Sequence, residues 1–287
     1  MLFATQTEKM VHTFGLYEGI KLLMDAGYPA LDFSMYGGLM EDWREVAQKL
    51  RAMADERGVI FNQIHAPFGG GYEYYTTKLV PQMPQVFEFA SILGAKQAIV
   101  HPLQEGRYYG NEKRLFEMNM EFYSSLAPIA KETGVKVAIE NMFQRHPITG
   151  FIVDDVCADP HELALYYDTL NDPDNFTVCL DLGHVAVCNR EPQDAIRILG
   201  RDRLGALHVH DVNYREDSHT LPGVGRIWWD AVTTALADID YQGEFTLEAD
   251  EFFNGFAKEM RYRCCVFMAD QARFLAEQIQ AKKDMRA

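Results

Sequence analysis

The amino-acid sequence predicts an α/β protein of 287 residues that folds as a single (β/α)8 TIM barrel. Eight short apolar runs alternate with longer amphipathic stretches, which is the pattern of parallel βα units. No Pro- or Ser-rich linker and no block of charge divides the chain, so we expect one domain over residues 1–287. A TIM barrel typically uses about 250 residues as one domain, which fits this length.

The individual elements follow from the apolar periodicity. Gly27, Gly58, Gly94, Gly134 and Gly200 each follow a helical run, where a left-handed residue commonly ends a helix. The predicted strands are residues 2–5, 30–33, 59–64, 97–100, 135–139, 176–180, 204–207 and 244–247. The predicted helices include 40–57, 79–93, 111–133, 161–170, 192–199 and 228–238, and a long closing helix covers about 254–283.

A doubly wound open sheet is the alternative for this pattern. Such a sheet usually carries a glycine-rich phosphate-binding turn after its first strand, and this sequence has none there. The glycines at positions 69, 70 and 71 follow the third predicted strand, and we expect them to form a flexible loop that opens no helix. The TIM barrel is therefore favoured.

Composition and charge exclude several functional classes. The chain carries 27 basic and 42 acidic residues, a formal charge of −15, without a Lys/Arg run, so we expect no nucleic-acid partner. No apolar stretch approaches the roughly 20 residues that span a bilayer, and the start lacks the pattern of a secretory leader. Five cysteines without a CxxC pair indicate reduced thiols. The expected location is the cytoplasm.

Six consecutive predicted strands end in a possible metal ligand or acid/base. Any one such residue more often caps a helix or bonds a loop, but the six are spaced by 36, 39, 41, 27 and 40 residues, about one βα unit each. A TIM barrel gathers the carboxyl ends of its strands at one mouth, so these side chains should converge. They are His65, His101, Glu140, Asp181, His208 and Glu248.

Burying several carboxylates and imidazoles together is costly unless a cation or mutual hydrogen bonds compensate them. We therefore expect one divalent metal ion held by Glu140, Asp181, His208 and Glu248. This oxygen-rich, thiol-free set favours Mn²⁺, with Mg²⁺ next, and the imidazole makes Co²⁺ and Zn²⁺ compatible as well.

The residues at these strand ends also carry a resemblance to a known family. Over about residues 28 to 250, the chain resembles the xylose-isomerase-like TIM barrel superfamily of sugar isomerases and epimerases. The motifs that carry the resemblance are His65-Ala66-Pro67-Phe68, Val100-His101-Pro102, Ile139-Glu140-Asn141, Asp181-Leu182-Gly183-His184, Leu207-His208-Val209-His210-Asp211, Pro222-Gly223-Val224-Gly225 and Leu247-Glu248.

The resemblance implies the same four metal ligands and a metal-dependent isomerase or epimerase of a ketose or related polyol-ketone. Glu140 and Glu248 would be the catalytic pair that transfers a proton through a metal-bound enediolate. The family's substrate-binding arginine would fall at Tyr214, and here the arginine is its neighbour, Arg215. The substrate-binding residues we expect are His65, His101, His184, His210, Arg215 and His219.

Two alternatives stay open on the same residues. If a β-hydroxyl leaves the enediolate, the enzyme is a dehydratase of an inosose- or dehydroshikimate-like substrate. The superfamily also includes a trinuclear zinc apurinic endonuclease, whose additional Asp-x-His pair resembles Asp217-Ser218-His219. The charge of −15 disfavours that nuclease because DNA binding needs basic loops.

The expected partners are a small sugar or polyol and a second copy of the chain. Superfamily relatives are commonly oligomeric, so a homo-oligomer is implied here. The aromatic, glycine-rich segment from Phe68 to Tyr75 is expected near an interface or over the mouth of the barrel. We expect Trp228 and Trp229 to start a helix that packs on the barrel.

Overall fold

Eight parallel strands form a closed barrel in the computed structural model, which describes residues 1–35 and 38–286. The barrel closes between its last two strands, where Val209 pairs with Leu247. Backbone hydrogen bonds from Val209 N to Thr246 O and from Glu248 N to Val209 O, both 2.9 Å, join this seam. The predicted TIM barrel is confirmed.

Ten strands occur among the described residues, and two of them form a hairpin outside the barrel. The strands are β1 Phe3–Gln6, β2 Ala30–Ser34, β3 Ile60–His65, β4 Gln97–Val100, β5 Lys136–Glu140, β6 Phe143–Arg145, β7 Ile152–Asp154, β8 Phe176–Asp181, β9 Leu204–His208 and β10 Phe245–Leu247. Barrel strands pair in the order β10-β1-β2-β3-β4-β5-β8-β9, while β6 and β7 pair with each other antiparallel.

Helices surround the barrel. Three short turns join them: a π-helical turn at Tyr75–Leu79 and 3-10 turns at Val80–Gln82 and Asp250–Phe253. The helices are α1 Glu8–Phe14, α2 Leu16–Asp25, α3 Trp43–Arg57, α4 Gly71–Tyr74, α5 Met83–Leu93, α6 Glu112–Thr133, α7 Pro160–Leu170, α8 Leu182–Val187, α9 Pro192–Arg203, α10 Trp229–Asp238 and α11 Lys258–Asp284.

Several boundaries differ from the sequence prediction for local reasons. Helix α3 begins at Trp43 instead of residue 40, and α5 begins at Met83 because irregular turns precede it. The closing helix begins at Lys258 because Ala257 has extended backbone angles, φ −58° and ψ 149°. The prediction that Gly71 opens no helix is wrong: it begins the short helix α4 after Gly70 reverses the chain at φ 77°.

The apolar core lies mainly between the barrel and its helices. Inside the barrel, a separate small cluster contains Ile99, Ala138, Cys179 and Ala206, whose side chains are fully or almost fully buried. Because adjacent side chains on a strand point to opposite faces, residues next to this cluster pack outward against the helices. Within the described residues we find no helix with the length and hydrophobicity needed to cross a membrane.

Candidate active site

The strand-end residues meet at the carboxyl end of the barrel. Glu140, Asp181 and His208 are the last residues of β5, β8 and β9, and Glu248 follows β10 directly. The parallel register aligns them, since Asp181 pairs with His208 and Glu140 pairs with Cys179. The fold therefore delivers ligand-type side chains from separate strands to one level of the mouth.

Glu140, Asp181, His208 and Glu248 form a buried group that we call the primary cluster. One ligand atom from each of them lies within 4.8 Å of the others. His208 Nδ1 is 2.7 Å from Glu140 Oε1 and 3.3 Å from Glu248 Oε2. The four residues that the sequence predicted as metal ligands are thus brought together.

Asn141 fixes the position of Asp181. Its side-chain amide donates to Asp181 O at 3.0 Å and accepts from Asp181 N at 2.7 Å. The Asp181 carboxylate also accepts the backbone N–H of His184 at 2.6 Å, which caps the start of α8. These bonds explain why an asparagine follows Glu140 and why Asp181 begins a helix.

Sequence reasoning missed Asp32, which holds the other side of His208. Asp32 Oδ2 lies 3.1 Å from His208 Nε2, and Gln63 Nε2 donates to the same oxygen at 2.9 Å. Asp32 is in the middle of β2 and is completely buried. A carboxylate at Nε2 aims Nδ1 into the primary cluster, as in carboxylate–histidine–metal arrangements. The signal for Asp32 in the sequence was a single acidic residue within an otherwise apolar strand.

The two glutamates of the primary cluster have opposite pKa shifts. Burial alone would raise the pKa of Glu140, but the nearby imidazoles of His208 and His101 hold it well below its usual value. Burial raises the pKa of Glu248 well above its usual value, and the charges of Glu140 and Asp181 add to this. Without bound metal, the two carboxyl groups therefore differ in their tendency to hold a proton.

His65 and His101 lie beside the primary cluster. His101 Nε2 is 2.9 Å from Glu140 Oε2, His65 Nε2 is 3.7 Å from the same oxygen, and the two Nε2 atoms are 3.2 Å apart. Burial, followed by the charge of His101, lowers the pKa of His65 to about 4. His65 is thus a neutral imidazole at pH 7, able to bind a hydroxyl or a cation.

A second group, which we call the outer cluster, contains His184, His210, Asp217 and His219. Their ligand atoms also lie within 4.8 Å of one another. Asp217 is central, with its Oδ2 3.0 Å from His219 Nε2 and 3.8 Å from His184 Nε2. Burial would raise the pKa of Asp217, but the hydrogen bond to His219 and the charge of His184 lower it to about 2.

His210 is buried beneath the cavity and links the two clusters. Its Nε2 lies 3.1 Å from both carboxylate oxygens of Asp181, and its ring stacks on that of His219 at 4.0 Å. A Cβ atom at Gly183 would lie 1.9 Å from this imidazole. The glycine of the Asp-Leu-Gly-His motif therefore makes room for His210.

A cavity of about 280 Å³ opens above these groups. Glu140 and Glu248 line it, whereas Asp181 and His208 lie below its floor. Arg215 is exposed and is not among the lining residues, so the structure does not bring it to the predicted place. The lining also includes His65, His101, His184, Asp217, His219, Phe68, Met142, Phe143, Gln6, Glu8, Lys9, Asp250 and Glu251.

The aromatic segment expected near the mouth or an interface contributes to the cavity wall. The Phe68 ring lies 4.4 Å from that of His65 and 5.0 Å from that of His101. Tyr75 is buried and donates its hydroxyl to His101 O at 3.0 Å. Phe68 also lines an adjoining cavity of about 100 Å³ with Tyr72 and Tyr75. The segment therefore lies beside the mouth.

Together, the barrel and its two clusters define a class of protein: a TIM barrel with buried histidine and carboxylate groups able to hold a divalent cation. The sequence from residue 20 to 262 matches the family model described as xylose isomerase-like TIM barrel. The chain belongs to this family, as its motifs predicted.

Curated relatives match part of the chain. An uncharacterised protein of Sinorhizobium fredii is 28% identical over 166 residues, 56% of this chain and 49% of the relative. The D-psicose 3-epimerase of Ruminiclostridium cellulolyticum is 29% identical over 140 residues, 48% of this chain and 42% of the relative. The matched stretches thus span about half the length of these relatives.

Solved structures share the fold over nearly the whole chain. A D-tagatose 3-epimerase-like protein superposes with a TM-score of 0.76 at 18% identity, covering 100% of this chain and 99% of that one. The IOLI protein, solved with a bound zinc atom, gives 0.71 at 17% identity, covering 99% of each chain. At such identities the likeness establishes the architecture.

Proposed function

We propose that this protein is a divalent-metal-dependent sugar isomerase or epimerase that acts on a ketose or related polyol-ketone. One observation carries the proposal: Glu140 and Glu248 line one cavity, together with the imidazoles of His65, His101, His184 and His219. A paired acid and base is what proton transfer to and from a carbon centre requires. Sequence relatives named D-psicose 3-epimerase support this class of reaction.

The primary cluster fits a divalent metal ion. Three carboxylates and one imidazole are buried with ligand atoms within 4.8 Å of one another, and this donor set suits a divalent cation. Glu140, Asp181, His208 and Glu248 would hold the ion, with manganese preferred over magnesium, cobalt or zinc. When bound, the ion would polarise a carbonyl and its neighbouring hydroxyl, making the intervening C–H more acidic. The zinc of the IOLI structure supports a divalent site in this fold.

The two glutamates enter the cavity from different walls of the barrel. Glu140 is the last residue of β5, and Glu248 directly follows β10. Strands β1 to β4 lie between β10 and β5 in the sheet. A carbon bound between Glu140 and Glu248 would present opposite faces to the two carboxyl groups. One glutamate then removes the proton and the other returns a proton from the far side, which inverts the centre.

The histidines around the cavity would bind the sugar hydroxyls. His65, His101, His184 and His219 line the cavity, and an imidazole can both donate and accept hydrogen bonds. His210 is below the floor and would act by positioning Asp181. The exposed Arg215 would reach a substrate only if the loop that carries it rearranged.

Isotope exchange tests the proposal. Metal-loaded protein is incubated in D₂O with ketoses, their phosphates, inosose and dehydroshikimate. Stereospecific deuterium uptake without loss of water is expected, whereas release of water would identify the dehydratase. Metal analysis after dialysis should find about one ion per chain, and Glu140→Gln and His208→Ala should lower that content. Unchanged content in both variants would overturn the ligand assignment.

A second candidate function rests on the additional ligand groups. His65, His101 and Glu140 form one group, and His184, Asp217 and His219 belong to another. Several metal ions in these groups would suit phosphoester hydrolysis, as in the apurinic endonuclease. Cleavage of abasic DNA by the metal-loaded protein, without deuterium exchange on any sugar, would favour this function.

We also propose a reducing, cytoplasmic location. All five cysteines are buried and unpaired, which supports a compartment where thiols stay reduced.

The substrate would be a small sugar or polyol, and the chain would work without nucleic acid.

A further inference from the structure

The outer face of α11 carries a stripe of exposed apolar side chains. Met260, Phe267 and Phe274 are 41%, 56% and 53% exposed and follow one another at intervals of seven residues. Seven residues are close to two helical turns, so the three side chains lie on one face. Phe256, 44% exposed, precedes the helix, and Phe252 lies between it and Phe267 with ring distances of 6.1 and 6.3 Å. The stripe is therefore continuous.

Charged side chains flank one side of this stripe in an alternating order. Glu259, Arg263, Asp270 and Arg273 are exposed, and at 100° per residue all four lie on the same side of the line through Phe267. Their signs run minus, plus, minus, plus along the helix. A charge pattern of this kind can pair with an inverted copy of itself.

Antiparallel pairing about Phe267 makes the surface complementary to itself. In an antiparallel helix pair, residues on one side of the seam face the same side of the partner. Inversion places Arg263 opposite Asp270 of a second copy and Glu259 opposite its Arg273. Met260 then meets Phe274, and Phe267 lies on the two-fold axis. In a parallel two-fold pair, the charged row would face the opposite flank of the partner helix, so these ion pairs would not form.

We propose that this face of α11 is a self-docking surface on which a second copy of the chain binds antiparallel, related by a two-fold axis. The four exposed apolar residues offer roughly 400 Å² per copy, taking about 200 Å² for a full aromatic side chain. A standard interface buries about 800 Å² per partner, so the flanking charged row would supply the remaining half. The inference is independent of the proposed catalytic function.

Oligomeric state tests the surface on the full chain. Light scattering and sedimentation should show two copies of the 32.8-kDa chain associating reversibly below about 200 µM. Phe267→Glu should weaken association at least 100-fold, roughly the loss of one buried aromatic per copy. The matched control is Leu165→Glu on α7, where the leucine is 52% exposed, and it should leave association unchanged. Circular dichroism confirms that both variants fold.

Charge reversal and cross-linking test the antiparallel register. Arg263→Asp and Asp270→Arg should each weaken the dimer, and combining them should restore it because the opposed signs return. Phe267→Cys should form a disulfide between copies on the two-fold axis, whereas Leu165→Cys should not. A wild-type monomer at about 200 µM overturns the proposal. A dimer unaffected by Phe267→Glu also overturns it and directs attention to the segment from Phe68 to Tyr75.

Discussion

The Asp32→Asn substitution tests whether Asp32 orients the His208 ring toward the proposed metal. His208 Nδ1 is 2.7 Å from Glu140, and its Nε2 is 3.1 Å from Asp32 Oδ2, which also accepts a hydrogen bond from Gln63 at 2.9 Å. A carboxylate oxygen can accept from both donors. In asparagine, only the carbonyl oxygen accepts, and an NH₂ group turned toward His208 would favour a proton on Nδ1. That proton would block the nitrogen that faces the metal.

The expected loss of metal affinity is moderate because Asp32 would act on the metal only through His208. Loss of a hydrogen-bond partner behind a metal-binding histidine typically costs 10- to 100-fold in metal affinity, about 1.4 to 2.7 kcal/mol. We expect this loss for Mn²⁺ or Zn²⁺, measured by chelator competition at one pH. The ¹⁵N shifts of the His208 ring should also report a changed tautomer.

Gln63→Met is the matched control for this experiment. It removes the other hydrogen bond to Asp32 Oδ2 but keeps the carboxylate against His208. We expect a lower free energy of unfolding with metal affinity within about threefold of wild type. If Asp32→Asn also loses stability but keeps wild-type metal affinity and the wild-type tautomer, Asp32 is only structural and the reasoning is wrong.

Four further changes probe the site. Glu248→Gln should abolish deuterium exchange while metal analysis still finds bound ion, because an amide cannot accept the proton; full exchange would remove Glu248 from the mechanism. His184→Ala should raise KM or lower kcat with the metal retained, and loss of the ion would instead make His184 a ligand. Burial raises the pKa of Asp250 to about 6, above its unfolded value, so its ionisation destabilises the native state as pH rises. Asp250→Asn should therefore increase the unfolding free energy of metal-free protein by about 3 kcal/mol at pH 8 and little at pH 4, and a pH-independent difference in urea denaturation would contradict this. Gly183→Ala should lower the free energy of unfolding by about 1–3 kcal/mol because the added Cβ would clash with the His210 ring. An unchanged denaturation midpoint would contradict this steric argument.

The barrel was predictable because its strands are buried on both faces. Such strands appear in sequence as apolar runs, and the spacing of about one βα unit placed their carboxyl ends together. For the same reason, Glu140, Asp181, His208 and Glu248 could be predicted to converge. The hairpin β6–β7 was missed because its strands have three residues each and are only partly buried, so neither shows a usable alternation.

The outer cluster depended on loop geometry that strand spacing does not encode. Asp211 is buried, and its carboxylate accepts hydrogen bonds from the backbone N–H groups of Gly223 and Ile227 and from Trp229 Nε1, at 2.8 to 3.0 Å. These bonds fold residues 212–228 back over the barrel, which carries Asp217 to the mouth. Trp229 begins α10 as predicted, and its indole is also part of this anchor.

The charges within the two clusters explain why we expect one ion instead of several. In the outer cluster, burial would lower the pKa of His219, but the hydrogen bond to Asp217 raises it well above its usual value, so this pair neutralises itself with a proton. In the primary cluster, the imidazoles of His208 and His101 lower the pKa of Glu140, and those of His184 and His210 lower the pKa of Asp181. Burial raises the pKa of Glu248 well above its usual value, and the charges of Glu140 and Asp181 add to this. A divalent cation held by the primary cluster would offset the buried charges of Glu140 and Asp181 and would lower the pKa of Glu248, so that Glu248 could act as a base. The outer cluster, where Asp217 is already paired with His219, would gain less from a second ion.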